Sequence, residues 1–353
     1  MTTIEVNTGR RYVVEIGNGL LSQLGQRIKR ILPKAQRIAV VTDTNVEKLY
    51  GGQLVHTLCG EGFSVVLFSF PAGEASKTGE TYLSLLEFLA DSGITRSDAL
   101  VALGGGVVGD LCGFAAASYL RGVPFVQVPT TLLAAVDSSV GGKTAIDLRA
   151  GKNLAGAFYQ PSLVLCDLDT FSTLPQEVFS DGCAEVIKYG MLGSQELLDR
   201  LRMGALTCDL EGIVAQCVAM KRDIVERDEF ETGDRQLLNL GHTLGHAIEK
   251  CSAYTVSHGR AVAMGMMLIT RSAVKMGLCP PQVLDGLSAL LTQFSLPTAS
   301  NESPGALLSA ALGDKKREGG QITLIIPTGL GQSIRYPVAV EELPSWIEMG
   351  LFE

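Results

Sequence analysis

Ala99-Leu100-Val101-Ala102-Leu103-Gly104-Gly105-Gly106-Val107-Val108-Gly109-Asp110 decides how the first half of this chain is read. Five uncharged, largely branched residues suit a strand buried on both faces. The glycines after them keep the G-x-G-x-x-G spacing and open a helical stretch. Glycine lets the backbone turn tightly and approach a pyrophosphate, whose charge then meets the free amides of a helix N-terminus. The segment predicts a strand, a turn and a helix, with a dinucleotide held at the turn or, failing that, a tight turn with no ligand. It falls at the fourth strand–helix unit, whereas a Rossmann fingerprint stands at the first.

Working outward, strands are expected from Arg11 to Ile16, Ile38 to Thr42, Phe63 to Phe70, Phe125 to Val128 and Pro161 to Leu168. Helical periods separate them, from Leu20 to Leu32, Asn45 to Leu58 and Ser76 to Ser92. That alternation predicts a parallel sheet covered by helices on both faces. Beyond Leu174 helical periods dominate: Ser180 to Leu192, Leu210 to Arg227, Arg235 to Lys250, Gly259 to Met276 and Pro281 to Phe294. Only Gln321 to Ile326 reads there as a clear strand. The expected architecture is an α/β nucleotide-binding domain over residues 1–174 and a mainly α-helical metal-binding domain over 175–353.

Composition narrows the function classes. A chain of 353 residues is long for a single core and suits two domains. A net charge of −8 argues against a general nucleic-acid binder. The apolar runs are too short to cross a bilayer, and Met1-Thr2-Thr3-Ile4-Glu5 opens no signal peptide. Eight cysteines without a Cys-x-x-Cys pair read as reduced thiols, so a cytoplasmic location is expected.

Three of the four histidines, His242, His246 and His258, fall within seventeen residues. Clustered imidazoles suit a divalent metal or a base that titrates near neutral pH. His242 and His246 stand four apart on one helical face, and His258 begins the next helix. Together with Glu185 they offer nitrogen ligands and a carboxylate for zinc or cobalt; spacing leaves open which two histidines ligate. Glu185 and Lys188 share a helix face, as a surface ion pair or as a buried functional one. Arg235 and Asn239 precede His242 by seven and three residues, as a solvated face or as donors to an oxyanion. Asp137-Ser138-Ser139-Val140-Gly141-Gly142-Lys143-Thr144 ends like a P-loop, but Asp137 stands where that motif needs glycine. Lys143, Lys152 and Asn153 in glycine-rich loops still suit an anionic substrate. Asp43, ending a strand, accepts hydrogen bonds from a ribose or caps the next helix.

These segments, with Gln127-Val128-Pro129-Thr130-Thr131-Leu132-Leu133, Ala184-Glu185-Val186-Ile187-Lys188-Tyr189-Gly190 and Leu238-Asn239-Leu240-Gly241-His242-Thr243-Leu244-Gly245-His246-Ala247, resemble the 3-dehydroquinate synthase family in order over most of the chain. The resemblance implies NAD and one divalent metal as cofactors. It also implies conversion of 3-deoxy-D-arabino-heptulosonate 7-phosphate to 3-dehydroquinate and phosphate in the shikimate pathway. The implied steps are transient oxidation, phosphate elimination, reduction and intramolecular aldol closure. It implies Glu185, His242 and His258 as metal ligands and His246 as a proton-transfer group. It places Lys188, Asn239, Lys143 and Asp137 at the chemistry, and Lys152, Asn153, Lys221 and Arg235 on substrate. Asp43, Glu74, Lys77, Gly105, Gly106, Asp110, Thr130 and Thr131 fall at the cofactor, and Arg121 reaches a neighbouring subunit's site in a homodimer.

One departure stands out. The family usually has Glu after His-Gly, and here it is His258-Gly259-Arg260, which is expected to alter the surroundings of a ligand. A related branch cyclises sedoheptulose 7-phosphate; Asn239 and His246 favour the dehydroquinate branch. The nearest rival is a metal-dependent alcohol or glycerol dehydrogenase of the same fold, which has no need of the Lys152, Lys188 and Arg235 cations. A rival of another class is a nucleotide-binding regulatory protein with a decayed site.

Overall fold

The computed structural model describes residues 1–312, 317–318 and 320–352. They form two compact units: Met1–Leu174 with Lys221–Glu229, and Pro175–Met220 with Phe230–Glu353. Residues 221–229, which include the end of the Leu210–Arg227 helix, thus group with the first unit.

The first unit is an α/β domain around a seven-stranded sheet. Its strands run Thr2–Val6, Tyr12–Gly17, Leu163–Asp167, Phe125–Pro129, Ala99–Gly104, Arg37–Asp43, Ser64–Phe70 across the sheet. All neighbours are parallel except the edge strand Thr2–Val6, which the sequence reading did not foresee. Alternation explains the unbroken apolar strands. Ile38, Val40, Val101 and Leu103 pack on one face with Leu24, Ile28, Leu54 and Leu58. Ala39, Val41, Leu100 and Ala102 pack on the other with Leu85, Leu89, Val108 and Leu111. Burying each Val or Leu removes apolar surface worth ~1.5–3 kcal/mol.

The strand order also explains the late position of the glycine turn. From Arg37–Asp43 the chain steps outward to Ser64–Phe70, then returns to Ala99–Gly104 on the opposite side. The direction of winding reverses between Arg37–Asp43 and Ala99–Gly104, and a doubly wound sheet binds ligands at such a reversal, beyond the strand C-termini. Asp43 and Gly104 end those two strands.

Two local expectations are corrected here. The loops around Lys143 and Lys152 are a β-hairpin, Lys143–Leu148 paired antiparallel with Gly151–Phe158. The helix expected from Asn45 to Leu58 is continuous but not α-helical throughout: Thr44–Val46 and Gly52–Gly60 flank a π-helical turn at Glu47–Gly51.

Asp98 ties the sheet's entry loops together. Its carboxylate accepts from the amides of Gln36, Arg37 and Thr95 and from the Thr95 hydroxyl, at 2.7–3.1 Å. Burial favours its neutral form, but the Thr95 hydroxyl and these amides outweigh burial and hold its pKa below the ordinary 3.8. An acid with a depressed folded pKa stabilises fully above its unfolded value, and that contribution fades as pH falls through the folded value. Asp98→Ala is expected to cost roughly 3 kcal/mol at pH 7, because several buried donors lose their acceptor. In urea unfolding the deficit should shrink towards pH 3; a pH-independent deficit would refute the carboxylate's part in it.

The second unit is mainly helical. The His258–Lys275 helix lies at its centre, packed against Gln176–Gly193, His242–Cys251, Pro281–Gln293 and Leu343–Leu351. The expected strand at Gln321 extends to Gly329 and joins Arg317–Glu318 and Gln332–Ala339 in a three-stranded antiparallel sheet. The second strand of that hairpin is half exposed, and Gln332, Ser333, Arg335 and Pro337 interrupt its apolar residues, so no apolar run marked it. The single helix expected from Arg235 to Lys250 is two pieces: a 3-10 turn Asp234–Asn239 and the helix His242–Cys251. Gly241, at φ 76°, separates them, so Arg235 and Asn239 do not continue the face that carries His242.

No helix among the described residues is long and apolar enough to cross a membrane.

Candidate metal centre and nucleotide turn

Glu185 projects from the Gln176–Gly193 helix and is fully buried. Its Oε1 lies 3.5 Å from His242 Nε2 and 3.4 Å from His258 Nε2. The two rings present the same nitrogen inward because the other is engaged. His242 Nδ1 lies 3.0 Å from the Leu240 carbonyl oxygen, and His258 Nδ1 lies 3.2 Å from Glu249 Oε2. A proton on each Nδ1 leaves each Nε2 lone pair facing Glu185. Ligands ~2.1 Å from a tetrahedral ion sit about 3.4 Å apart. One anionic oxygen and two imidazole nitrogens at this spacing fit a zinc or cobalt ion with a position left for substrate, the ion taking the place of a proton on His258 Nε2.

The two imidazoles differ electrostatically. Burial holds the His242 pKa well below its ordinary value, with Lys188 and the other two imidazoles adding to that against Glu185. Burial also opposes protonation of His258, but hydrogen bonds to Glu185 and Glu249 override it and push its pKa up to about 10. Lys188, 1% exposed, sets its ammonium 2.5 Å from Glu185 Oε2 and lies over the Tyr189 ring. The pair is therefore buried and not on the surface. His246 completes the cluster, its ring centroid 5.5 Å from that of His242 and 6.0 Å from that of His258. Arg235 is buried, and Asn239 donates from Nδ2 to Glu231 Oε1 at 3.1 Å.

Close backbone approach builds this centre. Gly241 and Gly245 lie against Ala261, Val262 and Gly265, so the His242–Cys251 and His258–Lys275 helices meet without intervening side chains. Asp181, one turn before Glu185, accepts from the Ser257 hydroxyl at 2.6 Å and the Arg260 amide at 3.0 Å. It thereby caps the helix that His258 begins. Arg260 itself is exposed, and His258 Nδ1 lies 3.2 Å from Glu249 Oε2.

In the first unit, Gly105 is the N-cap of the Gly106–Ser118 helix and supplies no side-chain cap. A Cβ at Gly105 would come 3.3 Å from Thr131, and one at Gly106 3.1 Å from Ser138. Thr130 is buried, and its hydroxyl has no hydrogen-bond partner among the described residues. Uncapped amides, a cradle without side chains and an orphan hydroxyl fit a bound pyrophosphate. Asp43 Oδ1 accepts from the amides of Asn45 and Val46, so it caps a helix. Lys77, 3% exposed, joins two candidate regions. Its ammonium lies 2.6 Å from Asp110 Oδ2, at the glycine turn, and 2.6 Å from Asn153 Oδ1, in the hairpin. Asn153 holds φ 54°, and its amide donates to Asp147. Lys152 Nζ lies 3.7 Å from Glu74 Oε1. Lys221 pairs with Asp137 at 2.7 Å, while Lys143 is exposed. Arg121 is exposed at φ 65° beside Gly122.

The sequence reading missed Glu249, Asp147 and Asp181. Glu249 was within reach, because 242, 246 and 249 follow the i, i+4, i+7 spacing of one helix face.

A nucleotide turn on a doubly wound sheet, and a helical unit with one carboxylate facing two imidazoles, define the fold class of the dehydroquinate-synthase-like cyclases. Family models described as 3-dehydroquinate synthase N-terminal and C-terminal match residues 67–181 and 182–317. A 3-dehydroquinate synthase of Caulobacter vibrioides is 46% identical over 94% of each chain. The chain belongs to the 3-dehydroquinate synthase family. Among solved structures, a 2-deoxy-scyllo-inosose synthase complexed with carbaglucose-6-phosphate, NAD+ and Co2+ is similar at TM-score 0.88 and 27% identity, covering 99% of this chain and 100% of that one. A 2-epi-5-epi-valiolone synthase from Streptomyces hygroscopicus with NAD+ and Zn2+ bound is similar at TM-score 0.87 and 25% identity, over 98% of each chain. The rival dehydrogenase reading is distant: a Schizosaccharomyces pombe glycerol dehydrogenase is 16% identical at TM-score 0.64, a likeness of fold alone.

Proposed function

We propose that the chain converts 3-deoxy-D-arabino-heptulosonate 7-phosphate to 3-dehydroquinate and phosphate. The observation that carries the proposal is Glu185 Oε1 within 3.5 Å of two inward-facing imidazole nitrogens, in a chain of the 3-dehydroquinate synthase family. Glu185, His242 and His258 would hold the divalent ion, zinc or cobalt; the glycine turn, with Asp43, Glu74, Lys77, Asp110, Thr130 and Thr131, would hold NAD. When bound, NAD supplies a reversible hydride acceptor, and the ion supplies a Lewis acid.

The chain's own groups do the rest. In the first unit Lys152, Asn153 and Lys221 bind the substrate's anionic groups, with Lys143 beside them, and Asp137 fixes the Lys221 ammonium. In the second unit Arg235 and Asn239 orient substrate oxygens. Lys188, anchored by Glu185, donates hydrogen bonds to them, and His246 accepts and returns a proton. Holding both charged ends turns the later steps into unimolecular ones. Arg121 serves a neighbouring subunit in a homodimer, and the protein works in the cytoplasm.

A balance of products tests this. One phosphate should be released per substrate with NAD far below stoichiometric amounts and no net NADH. A chelator should stop the release, and added zinc or cobalt should restore it. Accumulation of NADH in step with substrate loss would instead identify a dehydrogenase.

A further inference from the structure

We infer that Glu249 is a positioning residue for the metal centre: it holds the Nδ1 proton of His258 and so aims that ring's Nε2 at the ion. The inference rests on Glu185, His242 and His258 as the ligands and goes beyond that ligand set. Glu249 is 1% exposed, on the His242–Cys251 helix, one turn beyond His246. Its Oε2 lies 3.2 Å from His258 Nδ1, while Nε2 of the same ring lies 3.4 Å from Glu185 Oε1. A neutral imidazole has one N–H and one lone pair. With the proton fixed towards Glu249, the lone pair has one direction left, towards Glu185.

His242 supplies the internal comparison. Its Nδ1 is held in the same manner by an uncharged acceptor, the Leu240 carbonyl. One ligand ring is thus oriented by a backbone oxygen and the other by a full negative charge. A carboxylate behind an imidazole makes that ring a stronger donor, and partners of this kind typically change metal affinity 10–100-fold. Because His258 is the first residue of its helix, its ring lacks a preceding helical turn to pack on, and Glu249 supplies the restraint. The rival arrangement is also present in outline: His246, Glu249 and His258 offer ligand atoms within 4.8 Å of one another, which would make Glu249 a ligand in its own right.

The test is metal binding, read without turnover. The metal-free full-length protein is titrated with Co2+ against a competing chelator, and the visible d–d absorption of the bound ion is recorded. Glu249→Ala should weaken Co2+ affinity roughly 10–100-fold and shift the d–d bands. Glu249→Gln, which restores an uncharged acceptor like the Leu240 carbonyl, should recover most of the affinity and return the bands towards wild type. Affinity and spectrum unchanged in both variants would overturn the inference. So would a Glu249→Gln loss as complete as that of His258→Ala, since that outcome makes Glu249 a ligand. If Glu249→Ala does not fold, Glu249→Leu takes its place in the same comparison: a roughly 10–100-fold weaker Co2+ affinity with shifted bands supports positioning, and affinity and spectrum equal to wild type refute it. His242→Ala in the same titration checks the ligand set separately, so failure of one reading does not pass for failure of the other.

Discussion

Replacing Glu185 with Gln, or His258 with Ala, should lower zinc or cobalt affinity by about two to three orders of magnitude and abolish metal-dependent turnover. A four-ligand zinc site binds with ~10–16 kcal/mol, so one ligand carries roughly a quarter of that. The two variants should differ in stability. Glu185→Gln also removes the negative charge 2.5 Å from the buried Lys188 ammonium, and disrupting a buried pair typically costs ~3–5 kcal/mol. His258→Ala leaves that 2.5 Å pair in place and takes from the buried Glu249 carboxylate an imidazole 3.2 Å away, so its melting temperature should fall less. Elemental analysis after dialysis against a dilute chelator reads the first effect, and thermal melts read the second. Wild-type metal content in either variant would defeat the ligand assignment.

Gly265→Ala should be nearly as damaging, although the residue carries no functional group. A Cβ there would lie 2.0 Å from the Gly241 carbonyl oxygen and 2.8 Å from the Gly245 amide nitrogen. Both neighbours are backbone, so the two helices must separate. Overpacking by one methyl ordinarily costs ~1–3 kcal/mol, and a clash with main chain on both sides belongs at or above the top of that range. The same separation moves His242 from His258, so metal affinity should fall along with the melting temperature. Gly305→Ala is the control, because nothing lies within 4 Å of its Cβ position and its backbone is not left-handed. Equal behaviour of the two variants would remove close helix approach as the reason these imidazoles meet.

The contrast between these residues shows what could be read from sequence. The glycine turn was legible because strand, turn and helix are adjacent in the chain, and each has its own local period. The α/β and helical halves were legible for the same reason. The choice among three histidines was not open to spacing alone. It depends on a left-handed residue at Gly241 and on contact between Gly245 and the Ala261–Gly265 turn, which local periodicity does not register. The hairpin carrying Lys143 and Lys152 was hidden by its small residues, which mimic loop composition. The Lys221 ion pair joins residues 84 apart, beyond any helical or strand repeat.

Lys77 serves two masters with a single amine. Because Asp110 and Asn153 share that proton donor, a ligand that tightens its grip on one necessarily alters what the other feels. Dinucleotide and sugar phosphate should therefore bind with thermodynamic coupling, each changing the other's affinity by the same factor. Calorimetric titration of either compound with and without its companion reads that factor, and Lys77→Met should bring it to unity while leaving the hairpin and the turn to fold as separate pieces.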